Sequence, residues 1–197
     1  IPDDDEHGVP FSIRDIERLW SHQDSDISQV LLIMCYSGYR IGELKVIKTD
    51  LKKCFFSGGL KTKTSKDRIV PIHSAIYPIV KKRIRKYGEI MPLSDVKFRE
   101  LMKPYIKSIG IGEHTPHDCR HTFSSLCEKY EVKENDRKRM LGHKFMDVTN
   151  EVYGHRALED LRKEIEKIPC LKCVENGTLK SSQKEQIFEI IQDKKMA

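Results

Sequence analysis

Residues Val30-Leu31-Leu32-Ile33-Met34-Cys35-Tyr36 are apolar on nearly every side of the helix they would form. A helix without a polar face has to be surrounded, so this run, which opens at Asp26 and is stopped by Ser37-Gly38, predicts a central buried helix. The 197-residue chain is long enough for one domain with a proper core and an appendage. Other segments read as the layers around that centre. Ser12 caps a short amphipathic helix carrying Ile13, Ile16, Leu19 and Trp20, and further helices are expected at about residues 75–87, 94–109 and 135–141. Pro104 is expected to kink or split the second of these, and Gly142 to close the third. Asp147 caps a helix from Val148 to Tyr153, and Leu158, Leu161, Ile165 and Ile168 define a last one before Pro169. Between Leu51 and Ile72 the period shortens to that of strands: Cys54 to Phe56, Leu60 to Thr64 and Arg68 to Ile72, with turns at Ser57-Gly58-Gly59 and Ser65-Lys66-Asp67. The fold class is therefore α+β, mainly α-helical, with one small antiparallel three-stranded sheet.

Thirty-six Lys and Arg against 30 Asp and Glu give a net charge of +6 and a pI near 8.9, a moderate excess compatible with a polyanionic partner. Of the 6 cysteines, Cys35, Cys119 and Cys127 fall inside apolar periodic segments, which fits reduced buried thiols in a cytoplasm better than a disulfide framework. Cys170 and Cys173 form one CxxC without a second pair or a nearby pair of metal-spaced histidines, a weak zinc signal. A soluble protein is expected, since neither a signal peptide nor an apolar run of membrane-spanning length is visible. The chain opens at Ile1 and not at methionine, which suggests a piece of a longer protein.

The chemistry-bearing residues concentrate in Thr115-Pro116-His117-Asp118-Cys119-Arg120-His121-Thr122-Phe123. Thr115 reads as a helix N-cap, Pro116 as the first helical residue, and Asp118 as a side chain able to reach back to the cap. His117 and Arg120 then lie one turn apart at a helix N-terminus, where unpaired N–H groups favour phosphate. Cys119, Phe123, Leu126 and Cys127 would bury another sector and leave the His/Arg side facing a cleft. Arg40 follows the central helix at once, with Glu43 one turn on and able to orient it, although such pairs are commonly surface ion pairs. Lys61, Lys63 and Lys66 project from the strand region, and Lys81-Lys82-Arg83 with Arg85-Lys86 line a helix; both could lie along a phosphate backbone. His143 is the first residue past a helix end, and Tyr153, off the valine stripe and before Gly154, is a candidate for exposure.

In order along the chain, Tyr36-Ser37-Gly38-Tyr39-Arg40-Ile41-Gly42-Glu43-Leu44, Lys61 through Pro71, Thr115 through Phe123, Leu141-Gly142-His143 and Val152-Tyr153-Gly154-His155 resemble the catalytic domain of the tyrosine recombinases, in particular phage and transposon integrases. The resemblance spans residues from about 11 to 165 and implies the catalytic-domain fold of that family. It further implies that Arg40, Lys63, His117, Arg120, His143 and Tyr153 occupy the family's six active-site positions, Lys63 by its distance before Val70-Pro71, with Lys61 and Lys66 flanking it. Two guanidiniums would clamp the non-bridging oxygens of a DNA phosphodiester, with His143 as a further donor. Tyr153 would attack, with His117 as its base because a phenol of pKa about 10 needs one. Lys63 would protonate the departing 5′ oxygen. The product would be a 3′-phosphotyrosine, rejoined without ATP, Mg²⁺ or any other cofactor.

The implied partners are double-stranded DNA and further copies of the chain, as a homotetramer on synapsed DNA, without a membrane, in a bacterial cytoplasm. The expected organisation is a linker at residues 1–10, the catalytic domain at 11–168, and a tail at 169–197 whose Ile187, Phe188 and Ile191 stripe would form a docking helix. A type IB topoisomerase-like enzyme, sharing nucleophile and clamp, and a catalytically silent DNA-binding module are the competing readings. A zinc protein built on the eight histidines is remote, since no two of them share a convincing helix face at i, i+4 beside a carboxylate.

Overall fold

The computed structural model describes residues 8–60, 68–143 and 158–172, and the stretches 174–175 and 178–179. Helix α2 (Asp26–Cys35) is the central element: every residue from Ser28 to Cys35 is buried, and Leu31 through Cys35 are fully so. Ten residues are too few for a helix to persist alone in water, so burial of this surface, at roughly 1.5–3 kcal/mol per large aliphatic side chain, is what stabilises it. Helix α1 (Ile13–Ser21) packs against it through Ile16, Leu19 and Trp20. Its start is fixed by the expected cap and by one partner more: Asp15 N donates to Ser12 Oγ at 3.2 Å while Ser12 N donates to Asp15 Oδ2 at 3.0 Å, a reciprocal box.

After α2 a 3₁₀ turn (Ile41–Lys45) leads into strand β1 (Lys48–Asp50), which pairs antiparallel with β2 (Phe55–Ser57), and β2 pairs with β3 (Ile69–Pro71). The expected three-stranded antiparallel sheet is present with a different membership. Its first strand is Lys48–Asp50, and β2 pairs directly with β3, Phe56 opposite Val70. Residues 61–67, which include most of the expected middle strand, lie outside the described residues. Alternation along β3 turns Arg68, Val70 and Ile72 inward and leaves Ile69 exposed.

A 3₁₀ turn (Ser74–Ile76) precedes α3 (Tyr77–Tyr87); α4 (Asp95–Ser108) follows, capped by Ser94 Oγ accepting from Lys97 N at 3.2 Å. Pro104 neither splits nor interrupts α4. Helices α5 (Asp118–Lys129), α6 (Glu134–Leu141) and α7 (Leu158–Ile165) complete the seven helices among the described residues. Helix α5 packs most extensively on α2, and α7 lies against β3. Gly142, at φ +72°, ends α6 in the left-handed conformation that glycine adopts without Cβ strain. The expected helix at 148–153 and the stripe at Ile187–Ile191 lie outside the described residues.

The core does not stop at Pro169. Tyr36 Oη donates to Pro169 O at 3.1 Å and accepts from Leu171 N at 3.0 Å, and Leu171 is fully buried. Beyond it β4 (Val174–Glu175) pairs antiparallel with β5 (Thr178–Leu179), in a tail for which the sequence suggested a helix and no strands. Cys35, Cys119 and Cys127 are free and buried, as their periodicity predicts.

Candidate active site

Helix α5 begins two residues later than its cap signals suggest. Thr115, Pro116 and His117 form a tight lead-in turn in which Asp118 N donates to Thr115 O at 3.1 Å, Cys119 N to Pro116 O at 3.3 Å and Arg120 N to His117 O at 2.9 Å. Asp118 does reach back as expected, its Oδ2 accepting from Thr115 N at 2.8 Å, and it also lies 3.3 Å from His114 Nδ1. The lead-in turn and the first turn of α5 put His117 and His121 edge to face, 4.8 Å apart.

Arg120 is not at an open surface. Only 1% exposed, it runs into the gap between the end of α2 and the end of α6, where Nη1 donates to Gly38 O at 2.9 Å and Nη2 to Leu141 O at 2.9 Å. Its Nη2 also lies 2.9 Å from His143 Nε2. A guanidinium only donates, so Nε2 is the acceptor there. Residues from two helix ends and one helix start are thus joined in one hydrogen-bonded group. The expectation that His117 and Arg120 face a cleft side by side is corrected: His117 lines a cavity, whereas Arg120 is buried and not part of its walls.

That cavity, of about 370 Å³, has Arg40, Glu43, Leu60, Asp95, Arg99 and His117 among its walls. Arg40 and His117, 77 positions apart in sequence, therefore face one space. Glu43 does not form a surface ion pair with the Arg40 guanidinium. It is 1% exposed, its Oε2 accepts from the backbone N of Arg40 at 2.9 Å, and among the described residues it forms an ion pair with Arg68 Nη2 at 2.6 Å. Arg68, Asp95 and Arg99 were not singled out by the sequence reading.

Among the tyrosines, Tyr36 and Tyr39 are fully buried in the core. Burial pushes both phenols up: Tyr36 far above its ordinary value, and Tyr39 to about 12, with the Arg68 guanidinium 4.0 Å from its ring centroid pulling the other way. Neither is suited to nucleophilic attack at neutral pH. Tyr153 and Lys63, with the flanking Lys61 and Lys66, lie outside the described residues. Among the described residues no group of three or more His, Cys, Asp or Glu could hold a metal ion, and no helix is long and apolar enough to cross a membrane. Of the basic helix α3, Arg83 is withdrawn from any surface role: it is 2% exposed and donates to Ile90 O, Asp26 Oδ1 and Gln29 Oε1 at 2.6, 2.9 and 3.0 Å.

Residues 12–159 match the phage integrase family. The chain belongs to that family. Over 182 residues it is 25% identical to tyrosine recombinase XerA of Pyrococcus horikoshii, covering 83% of this chain and 62% of that protein. It is 30% identical over 152 residues to the integrase of Escherichia phage P2, covering 77% of this chain and 44% of that protein. To tyrosine recombinase XerC of Rickettsia canadensis it is 31% identical over 166 residues, covering 73% and 52%. The chain thus spans less than two thirds of the length of these integrase-family relatives. In fold it is similar to an integrase from mycobacterium phage Brujita, with a TM-score of 0.65 and 18% identity over 95% of this chain and 65% of that one. A XerA recombinase crystal structure gives a TM-score of 0.56 at 20% identity, covering 83% and 64%.

Proposed function

We propose that this integrase-family chain is the catalytic part of a site-specific DNA recombinase, which cleaves and rejoins double-stranded DNA through a 3′-phosphotyrosine. The observation that carries the reading is the meeting of Arg120 and His143 at 2.9 Å, together with a cavity walled by Arg40 and His117. Two arginines and two histidines, residue types suited to a metal-independent attack on a phosphodiester, come from the turn after α2, the start of α5 and the end of α6. Arg40 and Arg120 would hold the non-bridging oxygens, His143 would add a donor once its ring turns from Arg120, and His117 would take the proton of the nucleophile. Tyr153 is assigned as the nucleophile and Lys63 as the acid that protonates the 5′ oxygen. The relatives' names, recombinase and integrase, favour strand exchange over simple relaxation of supercoils.

In the same reading the catalytic unit, expected at 11–168, extends through the buried Leu171 and works as a homotetramer on synapsed DNA in a bacterial cytoplasm, with residues after 172 docking on a neighbouring copy. The test is incubation with a nicked suicide duplex carrying an attachment site. A covalent protein–DNA adduct is expected in excess EDTA, mapping to Tyr153 and absent in Tyr153→Phe. An adduct retained in that variant, or Mg²⁺-dependent cleavage without an adduct, overturns the assignment. Deleting residues after 172 should abolish synaptic tetramers in cross-linking while sparing single-strand cleavage.

A further inference from the structure

Arg68 has no place among the six proposed catalytic residues, yet it occupies the middle of a network that joins three of them, Arg40, Arg120 and His143. It is 4% exposed at the start of β3. Its Nη2 donates to Glu43 Oε2 at 2.6 Å and its Nη1 to Leu141 O at 2.7 Å, while the guanidinium lies over the Tyr39 ring. Each of its two acceptors serves a proposed clamp residue as well. Glu43 Oε2 also accepts from the backbone N of Arg40, and Leu141 O also accepts from Arg120 Nη2, which touches His143. A continuous path therefore runs from Arg40 through Glu43, Arg68 and Leu141 O to Arg120 and His143.

Charge decides what such a path does. A buried carboxylate must be neutralised by protonation or by a nearby cation, and Arg68 Nη2 stands 2.6 Å from Glu43 Oε2 with both side chains buried. With Arg68 in place, Glu43 has a charge-assisted partner and the guanidiniums of Arg40 and Arg120 are left to a phosphate. Without it, Glu43 loses that partner and competes with the phosphate for the guanidinium of Arg40, which lines the same cavity. We propose that Arg68 is a positioning residue for strand transfer: as counter-ion of Glu43 and donor to Leu141 O, it sets the placement of Arg40 and Arg120 without itself touching DNA. This rests on the recombinase reading above.

In the reaction the tyrosine oxygen forms a bond to phosphorus, the bond from phosphorus to O5′ breaks, the phenol proton goes to a base and O5′ gains a proton. Replacing one non-bridging oxygen by methyl leaves that balance unchanged and removes the charge that the clamp neutralises. Single-turnover adduct formation is therefore measured on suicide duplexes with either a phosphate or a methylphosphonate at the scissile position. The wild type should react on phosphate. Arg68→Met should lose about a hundredfold on phosphate and recover at least about tenfold of that loss on methylphosphonate, as Arg120→Ala should. Adding Glu43→Gln to Arg68→Met should restore part of the phosphate rate, because the competing carboxylate is gone. A merely structural role would lower both rates alike and give no rescue by Glu43→Gln. Circular dichroism checks folding, and if Arg68→Met does not fold, Arg68→Lys carries the same comparison. Equal losses on the two substrates, or a wild-type rate in a folded Arg68 variant, overturn the inference alone. A folded wild type that forms no adduct overturns the recombinase reading and the inference with it.

Discussion

The peptide oxygen of Gly38 accepts from Arg120 Nη1 at 2.9 Å, so the residue that ends the central helix directly holds an arginine 82 positions further on. Gly38 has φ +69°, and a Cβ there would stand 2.5 Å from Phe123 Cδ1 and 2.9 Å from Leu141 Cδ2. Both conditions call for glycine. Gly38→Ala should cost about 2–4 kcal/mol in urea unfolding, from left-handed strain plus overpacking. It should also lower adduct formation at least about tenfold at temperatures where the variant is folded, since the carbonyl moves with the strained turn. Unchanged stability would refute the steric account, and an unchanged rate in the destabilised variant would refute its link to Arg120.

From its two terminal nitrogens Arg120 contacts Gly38 O, Leu141 O and His143 Nε2, and an ammonium cannot reproduce that fork. Arg120→Lys keeps the charge. It should nevertheless lose about a hundredfold or more in the rate of adduct formation on a phosphate duplex, and destabilise the fold by about 1–3 kcal/mol through carbonyls left without donors. Gel quantification of the adduct against time reads the first effect. A lysine variant within twofold of wild type would show that charge alone suffices.

Glu164 on α7 gives the fold an acid-sensitive joint. Burial works to raise its pKa, but this is outweighed by hydrogen bonds from Lys167 Nζ at 2.7 Å and Lys133 N at 3.0 Å, with Lys133 Nζ 3.3 Å away, which hold the carboxyl at about 2, below its ordinary 4.5. A depressed carboxylate pKa stabilises the folded state above the unfolded value. That contribution, at most about 3 kcal/mol, should be complete above pH 4.5 and fade as pH falls toward 2. Urea midpoints between pH 2 and 6 should therefore fall less steeply in Glu164→Gln than in wild type. Parallel curves would remove Glu164 from the account.

Local signals were legible in the sequence and distant pairings were not. The apolar run at Val30–Tyr36, the Ser12 cap and the Gly142 stop each depend on residues within one or two turns, and each is where it was expected. Strand β1 was missed because Lys48-Thr49-Asp50 has no apolar alternation; only its pairing with Phe55–Ser57 makes it a strand. Glu43 was matched to Arg40, its neighbour in sequence, whereas its ion partner Arg68 is 25 residues away. A signal for Arg68 did exist: it lies in phase with Val70 and Ile72, so alternation alone places a cation on the inward face of a strand. Arg83 carries the helical form of the same signal, three and four residues after the buried Val80 and Ile79.

Arg83 also separates two roles that a basic helix can play. Lys82, Arg85 and Lys86 are exposed on α3, whereas Arg83 is committed to Asp26, Gln29 and the carbonyl of Ile90. A cation that contacts a DNA phosphate displaces counterions, and its removal lowers the slope of log affinity against log salt by about one. Arg83→Met should therefore leave that slope unchanged while destabilising the fold by about 2–3 kcal/mol, because Asp26 loses its buried partner and Ile90 O its donor. Replacing Lys82, Arg85 and Lys86 together by alanine should do the opposite, reducing the slope with little change in the unfolding midpoint, provided α3 lies along the DNA backbone as proposed for a flanking contact. Fluorescence anisotropy with a labelled attachment-site duplex at a series of salt concentrations, run beside urea unfolding, distinguishes the two. A reduced slope in Arg83→Met would contradict its burial, and an unaltered slope in the triple variant would take α3 off the DNA.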